Sequence, residues 1–218
     1  MVKINENFFK MENDMQTNKV EDILDKGEKI LLRTKPNRKA YIWSAVLTML
    51  PFALLWAAID SVFVIALIFG KIEAPKWTYL LMIGFLVVHM TPVWIWLGNI
   101  IRAVIEFKNI EYVFTDKRII VRSGIIGIDF KNVYYSEIEG VNLKVGLLDR
   151  IFKVGDIYIQ SMKQSTVLND IANPYFILGR LQKITLDIKT DINFPNDLRP
   201  EENHGYNTKY ISVFDDKK

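Results

Sequence analysis

Two long apolar segments stand out in a chain whose other hydrophobic runs are short. The first, residues 41–69, has 24 apolar residues out of 29, and the second, residues 77–101, has 18 out of 25 and no formal charge. A helix needs about 20 residues to cross the hydrocarbon core of a bilayer, so each segment is long enough for one span. The pattern predicts a transmembrane hairpin over 41–101, with a connector at 70–76.

The first segment is longer than a single upright span requires. In a helix with a rise of about 1.5 Å per residue, its 29 residues would extend over about 44 Å. Either this helix is tilted, or the span ends near Asp60 and the residues from Ser61 to Gly70 lie along the outer interface. The sequence leaves both alternatives open.

Basic residues near the two segments predict the orientation of the hairpin. Five precede the first segment, five follow the second and two lie in the connector: Lys29, Arg33, Lys35, Arg38, Lys39; Arg102, Lys108, Lys117, Arg118, Arg122; Lys71, Lys76. Because Lys and Arg are enriched on the cytoplasmic side, we expect a multi-pass protein of the cell membrane with both termini in the cytoplasm. Residues 1–20 are polar and lack the apolar core of a signal peptide, so the anchor is expected to be internal.

After the hairpin, short segments rich in β-branched and aromatic residues predict a sheet domain. A β-hairpin is expected around the turn at Asp116 and Lys117, followed by a strand with a bulge at Gly127. The expected strands are 110–115, 118–122, 125–130, 133–135, 138–145 and 156–161. Their spacing is typical of an antiparallel sheet that curls on itself, as a closed barrel or an open sandwich.

A helix over about 174–188 is predicted to close this domain, because Ile177, Leu181, Ile184 and Ile188 fall on one helical stripe. Residues 21–40 are expected to form the first strand and a juxtamembrane segment, and 102–190 the rest of the sheet domain. The polar segments 1–20 and 191–218 are expected to be disordered.

Several motifs in the chain resemble those of one family. They are GEKIL at 27–31, YVFTDKRI at 112–119, VYYSEIEGV at 133–141, LDRIF at 148–152 and GDIYI at 155–159. In order and spacing, over residues about 22–160, they resemble the bacterial and archaeal pleckstrin-homology-like (PH-like) family, a membrane-associated domain long catalogued as of unknown function. The resemblance implies an α+β membrane protein in which a transmembrane hairpin interrupts a small antiparallel PH-like β-barrel or sandwich with a C-terminal helix. Lys153 departs from the motif, since the family usually has glycine there.

Asp60 and His89 are the polar residues of the hairpin that invite a functional interpretation, because ionisable groups within a membrane often mark a proton or ion path. Counted from the ends of the two segments, they fall at similar depths and could pair. The alternative is that Asp60 marks the outer end of a shorter span and that a neutral His89 packs against the other helix. We favour this alternative, because two helices in one chain cannot enclose a pathway without oligomerisation.

A second candidate group is basic, comprising Arg102, Lys108, Lys117, Arg118 and Arg122. One interpretation is a surface that faces lipid headgroups or a partner, where each charge close to an anionic membrane contributes about 1 kcal/mol. The other is that these residues only express the charge asymmetry that sets the topology. We favour the second interpretation, because the sequence lacks a cluster of lysines and arginines in one hairpin loop.

Composition and charge exclude several classes of function. The chain has no cysteine and two histidines, His89 and His204, which excludes disulfides, thiol nucleophiles and most zinc sites. Its net charge is +3 with no dense basic run, so we expect no nucleic-acid partner. The sequence shows no acid–base pair, no Ser-His-Asp pattern and no glycine-rich phosphate loop. We therefore expect that the protein is not an enzyme and binds no metal or cofactor.

The sequence therefore predicts a non-catalytic binding or scaffold module. It would dock an unidentified protein partner, or copies of itself as a homo-oligomer, at the cytoplasmic face of the membrane, with membrane lipid around its anchor. One alternative is an oligomeric transport or ion-conducting subunit that uses Asp60 and His89. Another is a module that binds anionic lipid.

Overall fold

The computed structural model describes residues 19–70 and 75–193 of the chain. Nearly all of the expected disordered N-terminal segment, the expected tail beyond residue 193 and residues 71–74 of the expected connector therefore lie outside the described residues. The strands are β1 (Ile30–Thr34), β2 (Glu111–Thr115), β3 (Arg118–Ser123), β4 (Asp129–Tyr134), β5 (Ile138–Lys144), β6 (Val154–Ser161) and β7 (Ser165–Ala172). The helices are α1 (Arg38–Phe69), α2 (Lys76–His89), α3 (Thr91–Asn109), α4 (Leu147–Phe152) and α5 (Pro174–Asn193).

The strands form two antiparallel sheets, in the orders β1-β2-β3-β4 and β5-β6-β7. Side chains alternate across a strand, so one face of each sheet can contribute to a shared core. That core contains Tyr112 and Ile119 from the first sheet and Ile157 and Leu168 from the second. Within the described residues the two sheets remain separate, which matches the expected sandwich and not the closed barrel.

The first sheet is also covered on its other face. Val113 and Ile120, on β2 and β3, are completely buried against Val20 from the segment that precedes β1, with Ile23 and Leu24 packed beside them. Burial on both faces explains why β2 and β3 are nearly continuous apolar runs rather than alternating ones.

The three helices α1, α2 and α3 are inserted between two neighbouring strands of one sheet. β1 and β2 pair antiparallel, with Thr34 opposite Tyr112, although residues 35–110 separate them in the sequence. The chain therefore leaves the sheet at the end of β1 and returns at the same place to begin β2.

Helix α5 closes the sandwich as its apolar stripe predicts. Ile177 and Leu181 are buried in the shared core, and Ile184 and Ile188 pack at its margin. The helix contacts β5 and β6 and extends to Asn193, five residues beyond the predicted end.

α1 is a single helix of 32 residues that passes through Pro51 and Asp60 without interruption. The side chain of Asn37 caps its start by accepting hydrogen bonds from the backbone N–H groups of Lys39 and Ala40. The helix itself continues beyond Asp60 to Phe69, and where a membrane span would end along it stays a prediction.

The second apolar segment is broken, whereas a single helix over 77–101 was expected. α2 ends at His89, and α3 begins at Thr91 with a bend of 48° between them. Pro92 lies in the first turn of α3, where its missing N–H costs no helical hydrogen bond. By length and composition, α1 alone could cross a membrane, and the α2–α3 pair could provide a second crossing if the two helices form one bent span.

Three strands differ from the sequence prediction. The strand expected at 133–135 is not separate, because residues 133 and 134 end β4 and Tyr135 begins a 3-10 turn. The strand expected at 125–130 begins only at Asp129, because Gly124 has φ 132° and a Cβ at that position would lie 2.1 Å from the carbonyl oxygen of Gly127. This tight turn occupies the start of the expected strand. β7 was not predicted, since its sequence, STVLNDIA, mixes polar and apolar residues without strict alternation.

Lys153, where the related motif has glycine, follows α4 in a left-handed conformation with φ 56° and ψ 45°. This conformation costs an L-residue about 1–2 kcal/mol and glycine much less. The departure from the motif therefore carries a conformational cost.

We predict that Lys153→Gly raises the free energy of unfolding by about 0.5–1 kcal/mol. Glycine removes the strain of the left-handed conformation, but it also increases the entropy of the unfolded chain, which offsets part of the gain. The shift in Tm of the full chain in detergent measures this change. Lys153→Ala is the matched control, because it removes the charged side chain but keeps the Cβ. An equal gain in the alanine variant would contradict the explanation.

Candidate functional site

The break between α2 and α3 frees backbone carbonyls in the last turn of α2, and side chains from α1 and α3 bond to them. The indole Nε1 of Trp56 donates to the carbonyl of His89 at 2.7 Å, and that of Trp94 donates to Val87 at 3.1 Å. The hydroxyl of Thr91 donates to the carbonyl of Val88. Such partners are required where water is excluded, since an unpaired carbonyl there costs several kcal/mol.

Asp60 and His89 meet beside this break. The Nδ1 of His89 lies 2.7 Å from the Oδ1 of Asp60, and the Asp60 side chain is 3% exposed. The imidazole ring stacks between Trp56 and Phe85, with centroid distances of 5.1 Å and 5.2 Å. We call Trp56, Asp60, Phe85 and His89 the helix clasp, because it joins α1 to the end of α2.

One oxygen of the clasp has no partner. Asp60 Oδ2 is buried and has no hydrogen-bond partner among the described residues. An unpaired buried carboxylate oxygen costs free energy and retains the capacity to accept a proton or to bind a cation. The structure thus brings together the two polar residues that the sequence singled out, and it leaves one acceptor free.

Beyond the clasp, α1 and α2 border an open apolar groove of about 280 Å³. It is lined by Phe63, Leu67, Thr78, Leu81, Met82, Phe85 and Leu86. With a single hydroxyl among its lining side chains, the groove suits an apolar chain or helix and offers little to orient a polar substrate.

Arg118 from the predicted basic group is buried, so its assignment to a lipid-facing or partner-facing surface is wrong. Its Nε and one terminal nitrogen donate to the two carboxylate oxygens of Glu28 at 3.1 Å and 2.9 Å. The same guanidinium donates to the carbonyl of Ile23 and to the hydroxyl of Tyr134. Four of its five N–H groups thus donate to other groups of the same domain.

This ion pair joins two of the sequence motifs. Glu28 belongs to GEKIL and Arg118 to YVFTDKRI, and Thr115 of the second motif donates to Glu28 at 2.7 Å. Next to them, the backbone N–H of Lys29 donates to the carboxylate of Asp116 at 3.1 Å. Burial raises the pKa of Glu28, but hydrogen bonds from Arg118, from the backbone of Asp25 and from Thr115 outweigh it and lower the pKa to about 2.

The other four residues of the basic group do not form one surface. Lys117 lies in the β2–β3 turn and pairs with Asp25 at 3.3 Å, whereas Arg122 lies near the other end of β3, opposite Glu111. At about 3.3 Å per residue, β3 separates the levels of these two residues by more than 10 Å. Arg102 and Lys108 are exposed on α3, and Arg102 contacts Glu106. For these four residues, contact with lipid or a partner stays a prediction.

An acidic pair at the junction of sheet and helix was missed in the sequence. The backbone N–H of Asp170 donates to the carboxylate of Asp156 at 2.9 Å. The backbone carbonyl of Asp170 accepts a hydrogen bond from the backbone N–H of Asn37 at the start of α1. Burial, and then the charges of Asp156 and Asp149, raise the pKa of Asp170 to about 7. Asp170 lies on the unpredicted strand β7, so nothing in the sequence placed it near Asp156.

No cluster of three His, Cys, Asp or Glu residues within 19–70 and 75–193 could hold a metal ion.

Comparison with known proteins places this fold in context. A family model described as "Bacterial PH domain" matches residues 45–186. A solved structure of a DUF1696 family protein with a pleckstrin-homology domain from Shewanella loihica PV-4 is 18% identical, covers 34% of this chain and 68% of that one, and has a TM-score of 0.28. A search of curated proteins gave no significant match.

We predict that Glu28→Gln lowers the free energy of unfolding at neutral pH by about 3 kcal/mol, because it leaves the buried Arg118 without its counter-charge. The folded pKa of Glu28 lies below its ordinary value, so this stability is present above about pH 4.5 and is lost as the pH falls through about 2. The two proteins should therefore converge in stability toward pH 2. Thermal unfolding of the full chain in detergent as a function of pH measures the difference.

Glu21→Gln provides the matched control. Glu21 pairs with Arg33, but both side chains are more than 40% exposed, so this change should cost less than about 1 kcal/mol. A Glu28→Gln variant as stable as the Glu21→Gln variant at pH 7 would show that the buried pair has no stabilising role.

Proposed function

Because this chain belongs to the bacterial PH domain family, we propose that it is a membrane-anchored, non-catalytic scaffold module. Its sheet domain docks protein partners, or a second copy of the chain, at the cytoplasmic face of the cell membrane. PH domains are typically binding modules without catalytic activity, and the helical insertion between β1 and β2 holds this one at the lipid surface.

The exposed apolar surface of α1 supports the membrane anchor. Only 11% of its most apolar 18-residue window is buried, and the exposed residues include Leu54, Leu55 and Phe63. In water this surface would be costly, because exposing apolar area costs about 25 cal/mol per Å². In a bilayer the same surface is the favourable one, and the indole bonds at the α2–α3 break satisfy the carbonyls that lipid could not.

The observation that carries the proposal is the pairing of β1 with β2. Thr34 lies opposite Tyr112, so the inserted helices must leave and re-enter the sheet domain at one place. A membrane-crossing insertion must therefore cross an even number of times, and we assign one crossing to α1 and the other to the bent α2–α3 pair. Together with the basic residues flanking the insertion, it supports a domain entirely on the cytoplasmic side.

We predict that the chain stays with the membrane after an alkaline carbonate wash and that its sheet domain resists protease added outside intact cells. Opening the cells should make the domain accessible to the protease. Release by carbonate would contradict the anchor, and cleavage of the domain in intact cells would contradict the orientation.

Docking is tested by photo-crosslinking in intact membranes. A photoreactive amino acid placed at the exposed positions Lys131 on β4 or Lys183 on α5 should give discrete adducts heavier than the 25.4 kDa chain. The comparison position is Leu81, which is exposed on α2. Adducts only at Leu81 would contradict docking through the sheet domain and would favour assembly through the helices.

The second candidate function is transport by an oligomer, and the unpartnered oxygen of Asp60 favours it. In proteoliposomes, this function predicts a proton or cation flux that Asp60→Leu combined with His89→Phe abolishes. Ser61→Ala is the control, since it lies next to Asp60 but leaves the pair with His89 intact. If the double variant keeps the oligomeric state and every flux of the original chain, the helix clasp is structural and transport through Asp60 and His89 is rejected.

A further inference from the structure

Three large apolar side chains of the sheet domain are among the most exposed in the protein. Ile126 in the β3–β4 loop is 101% exposed, and Leu147 and Ile151 on α4 are 81% and 71% exposed. Single exposed apolar residues need no explanation, but residues that share one end of a domain indicate an interaction surface. We call Ile126, Leu147 and Ile151 the apolar rim.

Ile126 lies beside the end of α3. β2 begins directly after α3, and Glu111 at its start pairs with Arg122 near the end of β3. The loop that follows β3 is therefore level with the helix end. A hydrogen bond at 2.9 Å from the side-chain amide of Asn109, the last residue of α3, to the carbonyl of Gly124 fixes this position.

Leu147 and Ile151 lie beside the start of α1. Their helix, α4, packs against α1 and leads into β6, whose first residue Val154 pairs with Ala172 at the end of β7. Nearby on β7, the carbonyl of Asp170 accepts a hydrogen bond from the backbone N–H of Asn37, which caps α1. The two parts of the apolar rim thus flank the two points where the inserted helices meet the sheet domain.

The rim has the composition of a membrane-interface surface. Leu147 and Ile151 are four residues apart and share one face of α4, with exposed Arg150 between them. Exposed basic residues cluster at the same end of the domain: Lys35, Arg38, Lys39, Lys108 and Lys153. Among the described acidic residues at this end, Asp129 is exposed, whereas Glu111, Asp149 and Asp156 are partly buried. Apolar side chains surrounded by Lys and Arg are typical of helices that lie in the headgroup region of a bilayer.

We propose that the apolar rim inserts into the interfacial layer of the same bilayer that the helical insertion crosses. This inference rests on the proposed membrane anchor and adds to it. The occupant of the rim is phospholipid rather than protein, because the rim flanks the two helix ends that lead into the proposed bilayer crossings and is bordered by cations that suit anionic headgroups. Contact through the loop and α4, in addition to the two helices, fixes the orientation of the sheet domain, so that the β2–β3 and β6–β7 turns point away from the membrane.

The absence of cysteine allows the inference to be tested with single-cysteine variants of the full chain. Ile126→Cys, Leu147→Cys and Ile151→Cys are each labelled with an environment-sensitive fluorophore after reconstitution into phosphatidylcholine–phosphatidylglycerol vesicles. Met162→Cys is the matched control, because Met162 is 74% exposed in the β6–β7 turn at the opposite end of the domain. Leu55→Cys, in the middle of the apolar segment of α1, reports on the anchor itself.

We expect blue-shifted emission at the three rim positions and strong quenching there by phospholipid that carries a nitroxide near the headgroup. The Met162 position should be water-like and unquenched, and the Leu55 position should be quenched by a nitroxide deep in the acyl chain. Water-like emission at all three rim positions with Leu55 quenched would overturn the inference and leave the anchor intact. A blue shift without lipid quenching would also overturn it, because a second copy or another protein would then cover the rim. A label at the Leu55 position that the deep nitroxide does not quench would overturn the anchor and the inference together.

Discussion

The pairing of β1 with β2 constrains the whole protein. These adjacent strands belong to one sheet, yet residues 35–110 lie between them. Antiparallel neighbours are normally joined by a short turn, because closing a long loop costs entropy. Here the insertion is a helical structure in its own right, so its two ends are held near each other by packing of α1 against α3. The sheet domain and the helices therefore share one junction, where the chain leaves the sheet after β1 and returns to it before β2.

The ion pair of Glu28 and Arg118 secures the other end of this sheet. It ties the residues before β1 to the start of β3, and it includes Thr115 and the backbone of Asp25. A buried pair of charges is stabilising only when its remaining hydrogen-bonding groups are also satisfied, and this network supplies acceptors for four of the five N–H groups of Arg118. The two motifs that it joins therefore have a structural role, and Arg118 is not available as a surface residue that contacts ligands.

The helical insertion obeys a different constraint, which is the satisfaction of the backbone groups at the break between α2 and α3. The break after His89 would leave carbonyls unpaired, and Trp56, Trp94 and Thr91 supply the missing donors. The helix clasp then holds α1 against the end of α2, while the helices diverge into an open groove beyond it. Among the described residues, one carboxylate oxygen of Asp60 has no hydrogen-bond partner. A clasp with a free acceptor could bind a proton or a cation, whereas a fully paired one would be structural alone.

The sequence by itself determined the features that depend on composition and local periodicity. Long apolar runs marked the helices of the insertion, the stripe from Ile177 to Ile188 marked α5, and the β-branched segments around Asp116 marked the β2–β3 hairpin, because each of these signals lies within a short stretch of chain. Only the tertiary structure decided which distant residues meet. It buried Arg118 against Glu28, brought Asp60 within 2.7 Å of His89, placed β7 and Asp170 beside Asp156, and broke the second apolar segment at Met90. These outcomes depend on contacts between residues 14 to 90 positions apart, and local sequence patterns do not encode such contacts. For this reason Arg118, which the sequence assigned to an exposed basic group, is buried in the structure.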